Sequence, residues 1–463
     1  MISGLLVITA CLFSVRVVSW DIALYGILII WVSLIPLIRP SNDDAIPFFP
    51  AIGIFYAVFF GLPVFLIPFA WADADSITLY NRAAVGIIDS DGLAIALGGI
   101  SSMVLAYYST AFVWRRVPSL RFAASVENSA SVKILLWGLA LAHLAYLYLP
   151  TIQSLPSIGQ LLGPAGYVAI AGFYLLWQRK RISAMEKIVL ASMAVLEIYA
   201  RLRALMLTEI ILLAIFVIFL LWRERRFRLI GWLAAAGVMV FPLIYSSTTA
   251  FRQTADPGAA RLATVLPGVA KVIRQGGPEN AINTWLGGRL EPIIKRTGAI
   301  WTFLYVDRLS PDPVPYWHGE TYLPLVTSWI PRALYPDKPQ ERAGADFGFR
   351  YRIIPATDIS NTSVNLPWMV ELLANFGRGG VIGGMFAIGL LLGGLNRIFN
   401  IRAAGDVAFA VSLTLIFPLV YPESNFSLML GSLLPLTAAL AFYFIGGVWI
   451  LESIRRAAGA SAG

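Results

Sequence analysis

The stretch Ser427–Ile450, SLMLGSLLPLTAALAFYFIGGVWI, carries no charged side chain. A helix rising about 1.5 Å per residue needs about 20 such residues to cross the hydrocarbon of a bilayer. Outward from it, similar runs recur along the chain. They lie at roughly 2–15, 22–38, 48–70, 92–113, 134–151, 157–177, 187–200, 206–222, 229–247, 366–396 and 407–422, with 427–450 as the twelfth. Of the 463 residues, 58% are apolar and only 13% charged, where a soluble protein averages about 25% charged. In water such a chain would expose far too much apolar surface. This excludes a soluble enzyme and a disordered chain. A single cysteine, Cys11, excludes a disulfide-stapled domain. Long unbroken runs, instead of short alternating ones, exclude an outer-membrane barrel. The expected fold is an all-α polytopic integral membrane protein of about twelve transmembrane helices.

Lys and Arg near the spans set the orientation. With both termini in the cytoplasm, the inner loops hold seventeen of them and the short outer loops only four, namely Arg16, Arg82, Arg201 and Arg203. The formal charge of +9 is therefore largely topological. It suits membrane lipids and anionic lipid substrates, and it does not call for nucleic acid. The chain divides into nine helices over 1–247, an outer loop domain over 248–365, three helices over 366–450 and a cytoplasmic tail over 451–463. The loop domain holds ten Arg, three Lys and ten Asp or Glu. A loop of that length is usually functional. Apolar spacing at Ala281–Leu286 and Ile300–Leu304 predicts short amphipathic helices at the membrane face.

Within the loop, Trp329-Ile330-Pro331-Arg332-Ala333-Leu334-Tyr335-Pro336-Asp337-Lys338-Pro339 places prolines on both sides of Arg332 and of Lys338. Proline stiffens what it flanks, and a rigid turn presenting Arg and Lys suits an anionic ligand. The alternative is a Pro-rich surface turn with solvated charges. Further on come Gly344-Ala345-Asp346-Phe347-Gly348, then Ser360-Asn361-Thr362-Ser363, then Glu371-Leu372-Leu373-Ala374-Asn375-Phe376-Gly377-Arg378-Gly379-Gly380. Glu371 and Asn375 are four residues apart and share a helix face, with Arg378 one turn on. Ionisable groups at a membrane boundary are costly unless paired or useful; the alternative use is an intrahelical Glu371–Arg378 pair. His143 and His318, the only histidines, are far apart, which argues against zinc. His143, within a span, is expected to hydrogen-bond a neighbouring helix. Asp73-Ala74-Asp75 copies an Asp-x-Asp pattern, but short acidic pairs are common in loops. No metal and no cofactor are expected.

In this order, the Pro-Arg-x-x-x-Pro-x-Lys-Pro turn, the Gly/Phe segment, the Ser/Asn/Thr patch and the Glu-x-x-x-Asn-Phe-Gly-x-Gly-Gly helix start resemble the Wzy-type polymerases of bacterial O-antigen and exopolysaccharide repeat units. The likeness in architecture covers nearly the whole chain, and that in motifs about 329–380. Arg203 at the head of the eighth span and Arg252 after the ninth resemble family arginines too. The resemblance implies a metal-independent, membrane-integral glycosyltransferase of the C class. It would act at the outer face of the bacterial inner membrane on undecaprenyl-pyrophosphate-linked oligosaccharides. Such chemistry needs cations where charge grows on the departing phosphate, and arginine binds phosphate oxygens in pairs. Arg203, Arg252 and Arg332 are the expected phosphate contacts, with Lys338 supporting and Arg201, Asn375 and Arg378 as further substrate contacts. Simple snorkelling at the ends of spans also accounts for Arg201 and Arg203. Glu371 is the first candidate to accept the acceptor hydroxyl's proton, followed by Asp346, Glu423 and His318.

The nearest rival function is an O-antigen ligase acting on a lipid A-core acceptor, for which an outer-loop histidine such as His318 would be wanted. A lipid-linked oligosaccharide flippase is the next, but it needs charge deep in the spans, where Glu197 is one of few acids. A structural partner without chemistry is the last. A separate chain-length regulator is an expected partner of a polymerase, with no docking surface legible in the sequence.

Overall fold

The computed structural model describes residues 19–39, 43–65, 88–155, 158–204, 207–237, 297–328, 330, 335, 337, 342–359 and 363–460. They form an all-α protein. The main helices are α1 (Trp20–Ile38), α2 (Phe48–Tyr56, continued by a π turn Ala57–Gly61), α3 (Ser90–Val113), α4 (Ser131–Tyr148), α5 (Ile158–Gln178), α6 (Ala184–Ala204) and α7 (Leu207–Arg223). After them come α8 (Ala299–Leu309), α9 (Ala343–Arg350), α10 (Trp368–Phe399), α11 (Asp406–Ile416), α12 (Phe426–Leu430) and α13 (Leu433–Ala460). Among the described residues seven segments are long and apolar enough to cross a membrane: Trp20–Ile38, Phe48–Phe65, Ser90–Thr110, Ser131–Tyr148, Ile158–Gln178, Trp368–Phe399 and Phe426–Ala457. The chain is thus a multi-pass helical membrane protein. The first expected span, 2–15, lies outside the described residues. Part of the ninth appears as a shorter apolar helix, Phe227–Gly237.

The most extensively packed pair is α3 and α10, which run side by side in the same direction. A Cβ on Gly99 would fall 2.7 Å from Val381, one on Gly389 2.3 Å from the Met103 carbonyl oxygen, and one on Gly393 2.2 Å from Thr110. Small residues at such positions let helix backbones approach in a medium where apolar burial alone drives no association. Two bonds cross the same seam: Ser102 Oγ donates to the Ile382 carbonyl at 2.9 Å and Trp114 Nε1 to that of Leu390 at 3.0 Å. α1 and α2 pack beside them, and α4 and α5 form a second pair joined to α11 and α13. There Tyr443 Oη donates to the Leu135 carbonyl at 2.8 Å.

The segments expected on the inner side gather at one end. Asn400 exchanges bonds with the Ile46 backbone at 2.9 and 2.8 Å, and Leu120 N–H reaches the Ile398 carbonyl at 2.8 Å. Arg179 and Arg223 both reach Asp406, at 3.2 and 3.3 Å, and Glu127 accepts the first N–H groups of α11 from Val407 and Ala408. The segments expected outside meet at the other end. There the described part of the loop domain is partly helical, as expected. The helix predicted around Ile300–Leu304 exists as α8, and its apolar face packs onto the helix bundle. Ile300, Trp301, Phe303, Leu304 and Val306 are all buried against α3 and α10. The predicted helix at Ala281–Leu286 lies outside the described residues.

Two expectations about basic residues need correction. Arg201 and Arg203 do not form a connection between helices; both belong to the last turn of α6, which runs to Ala204. No bond joins Glu371 to Arg378 along α10. The cause is Gly377, whose φ of 68° and ψ of −165° break the helix between them. That conformation is essentially confined to glycine, and Tyr316 closes the space, since a Cβ would lie 2.8 Å from its ring.

Candidate functional site

The outer end is organised by the first two turns of α10. Glu371 and Asn375 project from one face, as their spacing predicts, and both are fully buried. Glu371 accepts the Thr321 hydroxyl at 2.7 Å and the Phe426 N–H, the first of α12, at 2.7 Å. Asn375 Nδ2 donates to Thr321 Oγ1 and to the Glu371 carbonyl, both at 2.8 Å, while its Oδ1 accepts Gly319 N–H at 2.9 Å. The α10 backbone completes the attachment: Trp317 N–H bonds the Ala374 carbonyl and His318 N–H that of Asn375, each at 3.0 Å. Ser427 Oγ donates to the Thr321 carbonyl at 3.0 Å and accepts from Asn425 Nδ2 at 2.7 Å. Three separate stretches, 317–321, 371–375 and 425–427, are thereby locked into one buried polar clamp. Such a network rigidifies only when its members are satisfied.

One member is not. The Tyr322 hydroxyl is buried without a hydrogen-bond partner among the described residues. Its ring stacks on Phe376, with centroids 5.9 Å apart and planes 11° apart. Burial pushes its phenol far above the usual range, and the nearby Glu371 carboxylate adds to the shift. Loss of a water contact without a replacing bond costs about 1–3 kcal/mol, so the phenol is held there by its packing.

Beyond the clamp lies a rim. Arg378 makes a two-point pair with Asp307 of α8, at 3.0 and 2.8 Å, the Arg half-exposed and the Asp nearly buried. Arg350 donates to the Pro315 carbonyl at 2.6 Å and stands 5.2 Å from the centre of the Trp317 ring. His318 is exposed, with its backbone in the left-handed region at φ 51° and its ring edge-on to Tyr316. Asp346 is exposed on α9. Glu423 is buried two residues before Asn425, its N–H bonded to the Tyr421 carbonyl at 2.7 Å.

Arg201 belongs to a different cluster. Its guanidinium is bonded to Glu197 at 2.7 Å and to Glu209, and it lies 5.7 Å from the Tyr167 ring centre. Glu197 in turn meets His143 Nε2 at 2.7 Å, and His143 Nδ1 reaches the Leu162 carbonyl at 2.9 Å. His143 thus hydrogen-bonds neighbouring helices, as its position predicts. Arg203 is the penultimate residue of α6. Arg252, Arg332 and Lys338 lie outside the described residues, as do Asp73 and Asp75.

Of the residues singled out by sequence, Glu371, Asn375 and the backbone of His318 come together, with Glu423 on the adjoining segment. Thr321, Tyr322, Ser427 and Asp307 complete the site without having been foreseen. Thr321 is fifty residues from Glu371 in the chain, and no spacing rule reaches that far. Asp307 carried the one available signal, the single acid in a mostly apolar helix. Among the described residues no group of three or more His, Cys, Asp or Glu is placed to share a metal ion. Comparison with protein-family models, with curated proteins and with solved structures finds no match to this chain.

Proposed function

We propose that the chain polymerises lipid-pyrophosphate-linked oligosaccharide repeat units by metal-independent glycosyl transfer. In this reading it spans the bacterial inner membrane twelve times with both termini in the cytoplasm. The observation that carries the proposal is the clamp. It fastens the polar segment after residue 297 back onto the helices, so that the segments flanking the motif-bearing turn 329–339 are anchored at one end of the bundle. A site for a membrane-held donor and a sugar acceptor needs such a roofed edge, because transfer requires the two to be aligned.

In the proposed reaction an acceptor hydroxyl attacks the anomeric carbon. The bond to the lipid diphosphate breaks, and the diphosphate leaves with the electron pair. Arg332, Arg252, Arg203 and Lys338 are the proposed contacts for that charge. Glu371 already accepts from Thr321 and Phe426 in a fully buried position, so it serves as a positioning residue. The acceptor's proton passes to an exposed group, and His318, whose N–H is held by the clamp, is the first choice.

The test is purified protein in nanodiscs given a lipid-pyrophosphate-linked repeat unit and EDTA, with no other acceptor. A ladder of longer glycans is expected, lost in Arg332→Ala while insertion and melting temperature are kept. Transfer only after a lipid A-core acceptor is added would assign a ligase. Lipid movement with no new bond would assign a flippase. A full ladder from Arg332→Ala would remove Arg332 from the phosphate contacts.

A further inference from the structure

At the end of the bundle opposite the clamp, α3 and α10 border a cavity of about 790 Å³. Part of its lining, including Tyr107, Tyr108 and Gly393, belongs to the apolar spans. The rest comes from connecting segments, which bring Arg121 and Arg402 beside Arg397 at the foot of α10. The cavity therefore straddles the boundary between apolar helix and polar loop. All three arginines are exposed. Arg121 Nε donates to Ser119 Oγ at 3.1 Å and Arg397 Nη2 to the Arg115 carbonyl at 2.8 Å. Each bond fixes the side chain yet uses one of five N–H donors. Asp43 and Asp44 also line the cavity. Asp44 is engaged by Asn396 Nδ2 at 2.9 Å. In the lining, three guanidinium groups outnumber two carboxylates.

The helix wall continues the argument. Tyr108 shares a face of α3 with Leu105 and Phe112, at i−3 and i+4. Leu105 is 64% exposed and Phe112 88%, which is the mark of a lipid-facing stripe leading out of the cavity.

We infer that this cavity binds an anionic phospholipid. Its phosphodiester sits against Arg121, Arg397 and Arg402, and an acyl chain runs along the Leu105–Tyr108–Phe112 stripe. The excess of guanidinium groups over carboxylates in the lining suits an anionic phosphodiester. Arginine forks pair with phosphate oxygens, and basic pockets between helices at a membrane boundary hold such headgroups. The stripe selects a lipid over free phosphate, which has no use for it. The inference does not depend on the proposed enzymatic activity, which lies at the other end.

The experiment is native mass spectrometry of the full chain released from nanodiscs of phosphatidylglycerol and phosphatidylcholine in equal amounts. The wild type should retain phosphatidylglycerol preferentially, and Arg121→Gln with Arg402→Gln should cut that preference about 10-fold. Arg455→Gln with Arg456→Gln, two basic residues outside the cavity lining, should keep it. Equal retention of both lipids by the wild type would overturn the inference, as would an unchanged preference in the Arg121/Arg402 variant. So would equal thermal stabilisation by inorganic phosphate alone, since then the stripe contributes nothing.

Discussion

Thr321→Val tests whether the clamp holds the outer segment. Valine keeps the shape and removes the hydroxyl. That hydroxyl donates to Glu371 at 2.7 Å and accepts from Asn375 at 2.8 Å. A buried bond to a carboxylate is worth about 1.5–3 kcal/mol and a neutral one about 1 kcal/mol. The two share one atom and are not additive, so the closed segment should lose about 3 kcal/mol relative to its opened form. About 1.4 kcal/mol is a tenfold change in an equilibrium constant. Opening should therefore become roughly 100-fold more frequent. The direct reporters are the amides of Trp317, His318 and Gly319, all bonded to α10. Their hydrogen exchange, followed by mass spectrometry under conditions where exchange reports the opening equilibrium, should accelerate by that factor. Thr321→Ser, which keeps the hydroxyl, should stay close to wild type. The amides of Val407 and Ala408, bonded to Glu127 at the far end, should not change in either variant. Acceleration below about threefold in Thr321→Val would refute the clamp as the fastening of this segment.

Two further outcomes are expected. Gly377→Ala should destabilise the protein by about 2 kcal/mol or more, because φ is 68° and Tyr316 lies where the Cβ would go; adding Tyr316→Ala should recover only the contact part, and a Gly377→Ala melting temperature equal to wild type would exclude strain there. Burial holds the Glu127 carboxyl above its ordinary range against the lowering pull of the Ala408 and Val407 N–H groups, so the folded state takes up its proton more readily than the unfolded chain. Its contribution is then most favourable below the unfolded value near ~4.3 and is lost as pH rises through the folded value. The wild-type melting temperature should fall relative to Glu127→Gln across that window, and parallel curves would rule the shift out.

Much of the bundle could be read in the sequence, because hydropathy is a local property. The runs at 22–38, 92–113, 134–151 and 157–177 became α1, α3, α4 and α5 with ends shifted by a few residues. The run at 427–450 became a short α12 and an α13 reaching Ala460, since polar residues in a helix that leaves the membrane do not end it. The break at Gly377 was hidden: glycine is ordinary in membrane helices, and only Tyr316 arriving from elsewhere makes it necessary. The site was half legible. The four-residue spacing of Glu371 and Asn375 put them on one face. Their partners Thr321, Phe426 and Gly319 come from folding of distant segments, which a linear pattern does not encode. The Arg378–Asp307 pair likewise displaced the intrahelical one, because the break turns Arg378 toward α8.

The glycine seam between α3 and α10 bears on how the protein can move. Backbones already in contact have no compliance left, and packed interiors switch between discrete arrangements without stretching smoothly. The two helices must travel as a single keel. Under the proposed function, an entrance for a lipid-borne donor has to open among the flanking helices, and a cross-link tying α3 to α10 should leave the proposed turnover untouched.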